Sequence, residues 1–147
     1  MATINVRHQA DVTINGEVKQ MGSITTADTI TVTDISDMTV TIASAATRIM
    51  WETATQGFPK EITDFDFLYV ESDVAASLQL TADSADAGGG ERQNYIALAA
   101  GIPFILASDA NFGDDDSGTF DGTTDLIDKI SIKATGGAAV VRFVIAT

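Results

Sequence analysis

Residues 128–145, which read DKISIKATGGAAVVRFVI, decide the predicted fold. If the Gly-Gly pair at their centre forms a two-residue turn, Ile132 faces Val141 and Ile130 faces Phe143, so one side is apolar. The other side mixes charged and apolar residues. Because neighbouring residues of a strand point to opposite faces, this pattern is typical of an antiparallel hairpin with one buried face. The stretch therefore predicts a C-terminal β-hairpin that packs on an apolar core.

A second hairpin is predicted with its turn at residues 72–73. It pairs Phe67 with Leu78 and gives another apolar face. The opposite face, which includes Leu68 and Val70, is only partly polar. We therefore expect that second face to be half covered by a partner or by the N-terminal segment.

A third hairpin is predicted near Asn15. A two-residue turn would place Val12 opposite Lys19 and mix the two faces, whereas a three-residue loop over residues 14–16 places Val12 opposite Val18. Since the longer loop keeps the faces distinct, the sequence favours it.

Strand patterns of this kind recur along the whole chain of 147 residues. About nine to eleven short strands between turn residues predict an all-β fold, an antiparallel β-sandwich of jelly-roll-like type. Residues 1–44 are richer in Thr and Val and poorer in aromatic residues. They are predicted to be an N-terminal β-hairpin or arm on a sandwich core of residues 45–147, with one domain over 1–147 as the alternative.

The charge of the chain is strongly acidic, with a net value of −13. Fifteen acidic residues and a single basic one, Arg92, lie between Glu61 and Asp128. Such a surface repels phosphate backbones, which argues against nucleic-acid binding. A solvated surface that keeps the protein dispersed at high concentration accounts for the charge.

Residue types that carry catalysis are scarce. There is no cysteine, and the one histidine, His8, falls in a predicted strand without the base and orienting group of a nucleophilic site. The Gly88-Gly89-Gly90 run lacks the Lys-Ser/Thr ending of a phosphate loop. The sequence therefore predicts a protein that is not an enzyme and holds no cofactor, and Trp51 is predicted in the core or an interface.

The candidate metal ligands are Asp114, Asp116 and Asp121. Carboxylates at alternate positions suit calcium, but the glutamate that closes an EF-hand loop is missing. The alternative is a solvated acidic loop. This segment, residues 109–124, and residues 83–91 are predicted as loops at one end of the sandwich.

Membrane insertion and export are not predicted. No segment approaches the ~20 apolar residues of a membrane span, and the N-terminal residues form no apolar signal region. We expect the protein to be made and kept in a host cytoplasm until it is assembled.

About two thirds of the chain, from Thr47 onward, resembles small structural proteins of tailed-phage particles. The resembling segments are Ile49-Met50-Trp51-Glu52, residues 64–73, Leu78-Gln79-Leu80-Thr81, Gly101-Ile102-Pro103-Phe104-Ile105-Leu106 and residues 127–133. The resemblance implies a β-sandwich virion component. It implies a decoration (cement) protein, a homotrimer that binds the major capsid protein on the outer surface of the head and bridges capsid subunits.

Two other functions remain open at this point. One is a tail or fibre component in which residues 1–44 are the attachment segment. The other is a carbohydrate-binding or adhesin-type module, with its site in the loops 83–91 and 109–124. For the decoration protein, the apolar surfaces expected to contact other subunits are the N-terminal strands and the second face of the 65–80 hairpin.

Overall fold

A computed structural model describes residues 2–15, 17–52, 62, 65–82, 92–106 and 127–147. Every regular element within these ranges is a β-strand, which confirms the all-β prediction. The strands are β1 (Ala2–Ile14), β2 (Glu17–Val32), β3 (Ile35–Ile42), β4 (Thr47–Glu52), β5 (Phe67–Ser72), β6 (Ala76–Ala82), β7 (Arg92–Leu98), β8 (Phe104–Leu106), β9 (Ile127–Ala134) and β10 (Ala139–Ala146).

The chain divides into two compact units, Met1–Thr33 and Asp34–Thr147. This boundary precedes the one expected between residues 44 and 45. The reason is that β3 pairs with β10 along its whole length, from Ile35 opposite Ala146 to Ile42 opposite Ala139. Strand β3 is therefore a strand of the sandwich, and the N-terminal unit consists of β1 and β2.

Strands β1 and β2 form a two-stranded antiparallel sheet, which we call the N-terminal hairpin. Its turn is the shorter one, because Ile14 lies opposite Glu17 and Val12 opposite Lys19. The predicted three-residue loop was therefore wrong. Asn15 has a φ of 54°, as the first residue of a type I′ turn requires. The prediction gave weight to burying Val12, which in fact remains 37% exposed.

The second unit is a sandwich of two four-stranded sheets. We call them the β10 sheet, in the order β3-β10-β5-β8, and the β9 sheet, in the order β4-β9-β6-β7. In these orders β3 neighbours β10, β4 neighbours β9, β5 neighbours β8 and β6 neighbours β7. The first four strands therefore pair antiparallel with the last four, as in a long hairpin wrapped into two sheets. Eight strands arranged in this way form a jelly roll, as predicted.

The core lies between the inner faces of the two sheets. Trp51 is 1% exposed there, and its indole Nε1 donates a hydrogen bond of 2.9 Å to the Ile62 carbonyl oxygen. Its ring meets the Phe65 ring edge to face, with 5.5 Å between centroids. Buried aromatic pairs in this geometry stabilise a fold beyond the area that they bury. Trp51 is therefore a core residue, one of the two places predicted for it.

The predicted C-terminal hairpin is wrong in its pairing. Strands β9 and β10 belong to different sheets, and β10 pairs with β3 and β5 instead. The predicted apolar side is nevertheless the buried one, because Ile132 and Val141 are both 0% exposed. The segment between the two strands is thus a connection that crosses from one sheet to the other.

The hairpin predicted around residues 72–73 is also such a crossing, since β5 and β6 lie in opposite sheets. In β5 the inward face is the reverse of the predicted one. Leu68 and Val70 are 0% exposed in the core, whereas Tyr69 points outward and is half-buried. Leu68 and Val70 lie on the face that was predicted to contact another subunit. That face packs against the second sheet instead, so neither residue is available for such a contact.

The crossing connections are joined to one another at one end of the sandwich. The amide nitrogens of Thr135 and Gly136 both donate to the Ala75 carbonyl oxygen, at 3.1 and 2.8 Å. Asp73 accepts a 2.7 Å hydrogen bond from the Val140 amide. A Cβ atom at Gly136 would lie 3.1 Å from the Ala75 amide nitrogen, so this close approach favours glycine.

At the opposite end, the first and last residues of the sandwich unit pair with each other. The Asp34 amide donates to the Thr147 carbonyl at 3.0 Å, and the Thr147 amide donates to the Asp34 carbonyl at 3.1 Å. The chain therefore enters and leaves the sandwich at adjacent positions.

Candidate interaction surface

Strand β1 has one apolar and one polar face. Its side chains alternate without interruption, because the register irregularity between Val6 and His8 is taken up by extra residues in β2. The described side chains on one face are Ala2, Ile4, Val6, Ala10 and Val12. Those on the other are Thr3, Asn5, Arg7, Gln9, Asp11 and Thr13. Such alternation is typical of a strand with one covered face.

Strand β2 extends the apolar face. Met21 lies opposite Ala10, and Ile30 lies opposite Ile4, so these side chains share the same side of the hairpin. We define the apolar hairpin face as Ala2, Ile4, Val6, Ala10, Val12, Met21, Ile30 and Val32. Near the turn this face is open to solvent, with Met21 56% exposed, whereas Val32 at its other end is buried. Isolated two-stranded hairpins are marginally stable in water, so an uncovered apolar face indicates a surface that another molecule covers.

Two oppositely charged residues lie at the turn end of this face. Glu17 and Lys19 alternate with Met21 along β2, and all three point to the apolar side. Both charged side chains are exposed. Because the face carries both an acid and a base, two copies of it can meet with Glu17 of each copy near Lys19 of the other.

The other face of the hairpin carries hydrogen bonds between polar side chains. Thr29 Oγ1 donates to Asn5 Oδ1 at 3.3 Å, and the Gln20 amide donates to the Asp11 carboxylate at 3.4 Å. Val18, 67% exposed, is an apolar residue on that face. The hairpin therefore presents one polar, solvated side and one apolar side.

On the sandwich, a charged cluster lies on the outer face of the β10 sheet. Arg142 binds the Asp37 carboxylate through two nitrogens, Nη2 to Oδ2 at 2.8 Å and Nε to Oδ1 at 3.3 Å. The same guanidinium lies 5.8 Å from the centre of the Tyr69 ring. The Tyr69 hydroxyl in turn donates a hydrogen bond to the Glu71 carboxylate. The four side chains come from β3, β5 and β10, which are adjacent in this sheet.

The pKa shifts of Asp37, Tyr69 and Arg142 favour their ordinary charge states. Hydrogen bonds from Arg142 lower the pKa of Asp37, and the same contact raises the pKa of Arg142. The hydrogen bond to Glu71 raises the pKa of Tyr69, so its phenol stays protonated. A general acid or base needs a pKa moved towards neutrality, and these three shifts move away from it. Arg142 on β10 contacts Asp37 on β3 and Tyr69 on β5, so the cluster links three adjacent strands.

The predicted metal ligands Asp114, Asp116 and Asp121 lie outside the described residues, as do the predicted loops 83–91 and 109–124. Within the described ranges no cluster of three or more metal-binding side chains occurs. Strand ends that flank the predicted loops do come together, since Ala82 pairs with both Arg92 and Ile127. His8 lies in β1, opposite Ser23.

No helix in the described part of the chain could span a membrane. Comparisons with models of protein families, with curated proteins and with solved structures gave no match.

One feature of these surfaces was missed by sequence reasoning, the contact between Asp37 and Arg142. These residues are 105 positions apart, and no local pattern signals their contact. The apolar hairpin face, in contrast, lies in the N-terminal strands that were expected to contact other subunits, and apolar residues alternate there with polar ones, interrupted by His8.

Proposed function

We propose that this chain is a structural protein of a tailed-phage particle, a decoration (cement) protein on the outer surface of the head. In this proposal it acts as a homotrimer that binds the major capsid protein and stabilises the head by bridging capsid subunits. It stabilises the head by burying surface against capsid subunits and catalyses no reaction.

The observation that carries the proposal is the apolar hairpin face attached to a sandwich with a completed core. Contiguous exposed apolar surfaces on a folded chain mark contacts with other molecules. The sandwich buries a core of its own, with Leu68, Ile132 and Phe143 all 0% exposed, although other apolar side chains on its surface are exposed. An additional segment that exposes Val12 and Met21 is therefore best explained by assembly with a partner.

The fold and the charge support the same function. Jelly rolls recur in viral capsid proteins and in lectins, an analogy at the level of the fold alone. The net charge of −13 favours a position away from packaged nucleic acid, because acidic surfaces repel phosphate. The Asp37–Arg142–Tyr69–Glu71 cluster supports a structural role, since Arg142 links adjacent strands of the β10 sheet.

The test is to bind the purified chain to phage heads that lack it. We expect it to co-sediment with the heads, to saturate in proportion to the major capsid protein and to raise the temperature at which the heads release DNA. Cryo-electron microscopy should then reveal the jelly roll outside the capsid. Density confined to the tail would replace the proposal with the tail or fibre alternative, and a failure to bind any particle would reject both.

A carbohydrate-binding module is the second candidate, favoured by two observations. Lectins also use jelly rolls, and Tyr95, on the outer face of the β9 sheet, is 66% exposed. Sugar sites commonly use exposed aromatic rings, and Tyr95 is the one exposed aromatic side chain in the described ranges. Titration with glycans, with and without calcium, tests this candidate. Saturable binding that Tyr95→Ala removes would favour it over the decoration protein.

A further inference from the structure

We propose that the apolar hairpin face is covered by the same face of a second copy of this chain. The inference concerns a contact that needs no capsid, so it can fail while the binding to the capsid in the proposed function holds.

The first argument is the uneven distribution of charge between the two units. Residues 1–33 contain two basic and three acidic residues, a net charge of −1, which leaves −12 of the total −13 on the remainder. Contact between two copies through their sandwiches would bring these like charges together, which disfavours association. The hairpin is the part of the chain where two copies can meet with little repulsion.

The second argument is that the face is complementary to itself. At its turn end the face carries Glu17 and Lys19 beside the apolar residues Val12 and Met21. When two such faces meet through rotational symmetry, Lys19 of one copy can lie against Glu17 of the other while the apolar residues pack together. A partner of one charge would satisfy only one of the two residues, so a second copy fits this face best.

The third argument is the stability of the hairpin itself. A two-stranded sheet acquires independent stability when its apolar face packs on another layer. Strands of 13 and 16 residues with Met21 56% exposed lack that layer at the turn end. Stacking against the hairpin of another copy supplies a layer of matching length and composition.

The main experiment measures the mass of the full chain by light scattering and sedimentation velocity at micromolar concentration. We expect a multimer of the 15.4 kDa chain. The double variant Val12→Lys, Met21→Lys should weaken association by about tenfold or more, because it buries charge in the contact. The matched control is Thr13→Lys, Gln20→Lys, which adds the same charge to the polar face of the same strands and should associate like the parent.

A charge exchange identifies the occupant. Lys19→Glu and Glu17→Lys should each weaken association, because like charges would then meet. A mixture of the two single variants should recover it, since each copy again offers the opposite charge. Recovery in the mixture is expected only if the partner is another copy of this chain.

The fluorescence of Trp51, a single tryptophan in the sandwich core, serves as the control for folding. An unchanged unfolding midpoint shows that the substitutions act on the contact. The proposal is overturned if the parent chain is a monomer, if both double variants dissociate equally, or if the mixture fails to associate. A monomer that binds phage heads through the apolar face would identify the capsid as the occupant; the decoration function would then hold without a trimer in solution.

Discussion

Strands β1 and β10 follow the same alternating pattern but have different surroundings. In β10 the inward residues Val141, Phe143 and Ile145 are 0% exposed, because the β9 sheet covers them. In the hairpin the corresponding apolar residues remain partly open, with Val12 37% exposed. Alternation therefore specifies which face of a strand needs cover, while the cover itself must come from elsewhere in the chain or from another molecule.

The largest expected difference between the two regions is in hydrogen exchange. Amides of β5 and β10 in the middle of the β10 sheet should exchange only through global unfolding, which costs about 5–15 kcal/mol in typical domains. In dilute solution, amides of β1 and β2 near the turn should exchange at least a thousandfold faster. Exchange measured by mass spectrometry checks this. If the amides of β1 and β2 in a monomer exchanged as slowly as those of β10, the proposed difference in stability between the two units would be wrong.

Truncation in the core tests the same contrast by stability. Phe143→Ala should lower the free energy of unfolding by about 3–5 kcal/mol, because it leaves a cavity between the sheets. Val18→Ala, on the exposed hairpin, should change it by less than about 0.5 kcal/mol. Denaturant unfolding followed by Trp51 fluorescence measures both values. Similar losses for the two variants would mean that the units unfold as one.

Two glycine substitutions, one in each unit, should have smaller effects on stability that again differ between the sandwich and the hairpin. Gly136→Ala should destabilise the sandwich by about 1–3 kcal/mol, because its Cβ would crowd Ala75 at 3.1 Å. Gly22 in β2 has a φ of 76°, and alanine there would cost the hairpin about 1–2 kcal/mol. We expect the Trp51 transition to shift for Gly136→Ala and to stay in place for Gly22→Ala. A shift in both would contradict independent unfolding.

The smallest effect concerns the pH dependence of the sandwich. The pKa of Asp37 is lowered by Arg142, so their contact stabilises the fold above the ordinary aspartate pKa and is lost as the pH falls through the lowered value. Asp37→Asn should therefore be slightly less stable than the parent at neutral pH and equal to it in acid. The effect is small because both side chains are about half exposed. A difference that persists in acid would assign the loss to another cause.

Sequence reasoning predicted the strands well and their partners poorly. The inward residues of β6, β9 and β10 follow from alternation alone. The pairing does not, because a hairpin and a crossing between sheets both bring residues equidistant from the connection to the same side. The pattern of residues 128–145 therefore predicted the buried face correctly, but it predicted the wrong strand pairing.

The remaining errors have a related cause. The choice between the two faces of β5 depends on which neighbour covers it, and Leu68 pairs with Leu106 and Ile145, both far along the chain. The turn at Asn15 was misjudged because the prediction required a buried face that the hairpin alone does not form. Local patterns fix the conformation of a strand, whereas burial depends on contacts between distant segments.

The paired backbone of Asp34 and Thr147 has a practical consequence. Because these two residues are hydrogen-bonded to each other, a short linker could join them, and new termini could be opened elsewhere in a circularly permuted sandwich. In the chain without permutation, the hairpin before Asp34 can be replaced by another segment, because it contributes no strand to the jelly roll. If a segment that binds a different partner were fused at this position, the same jelly roll would assemble with that partner.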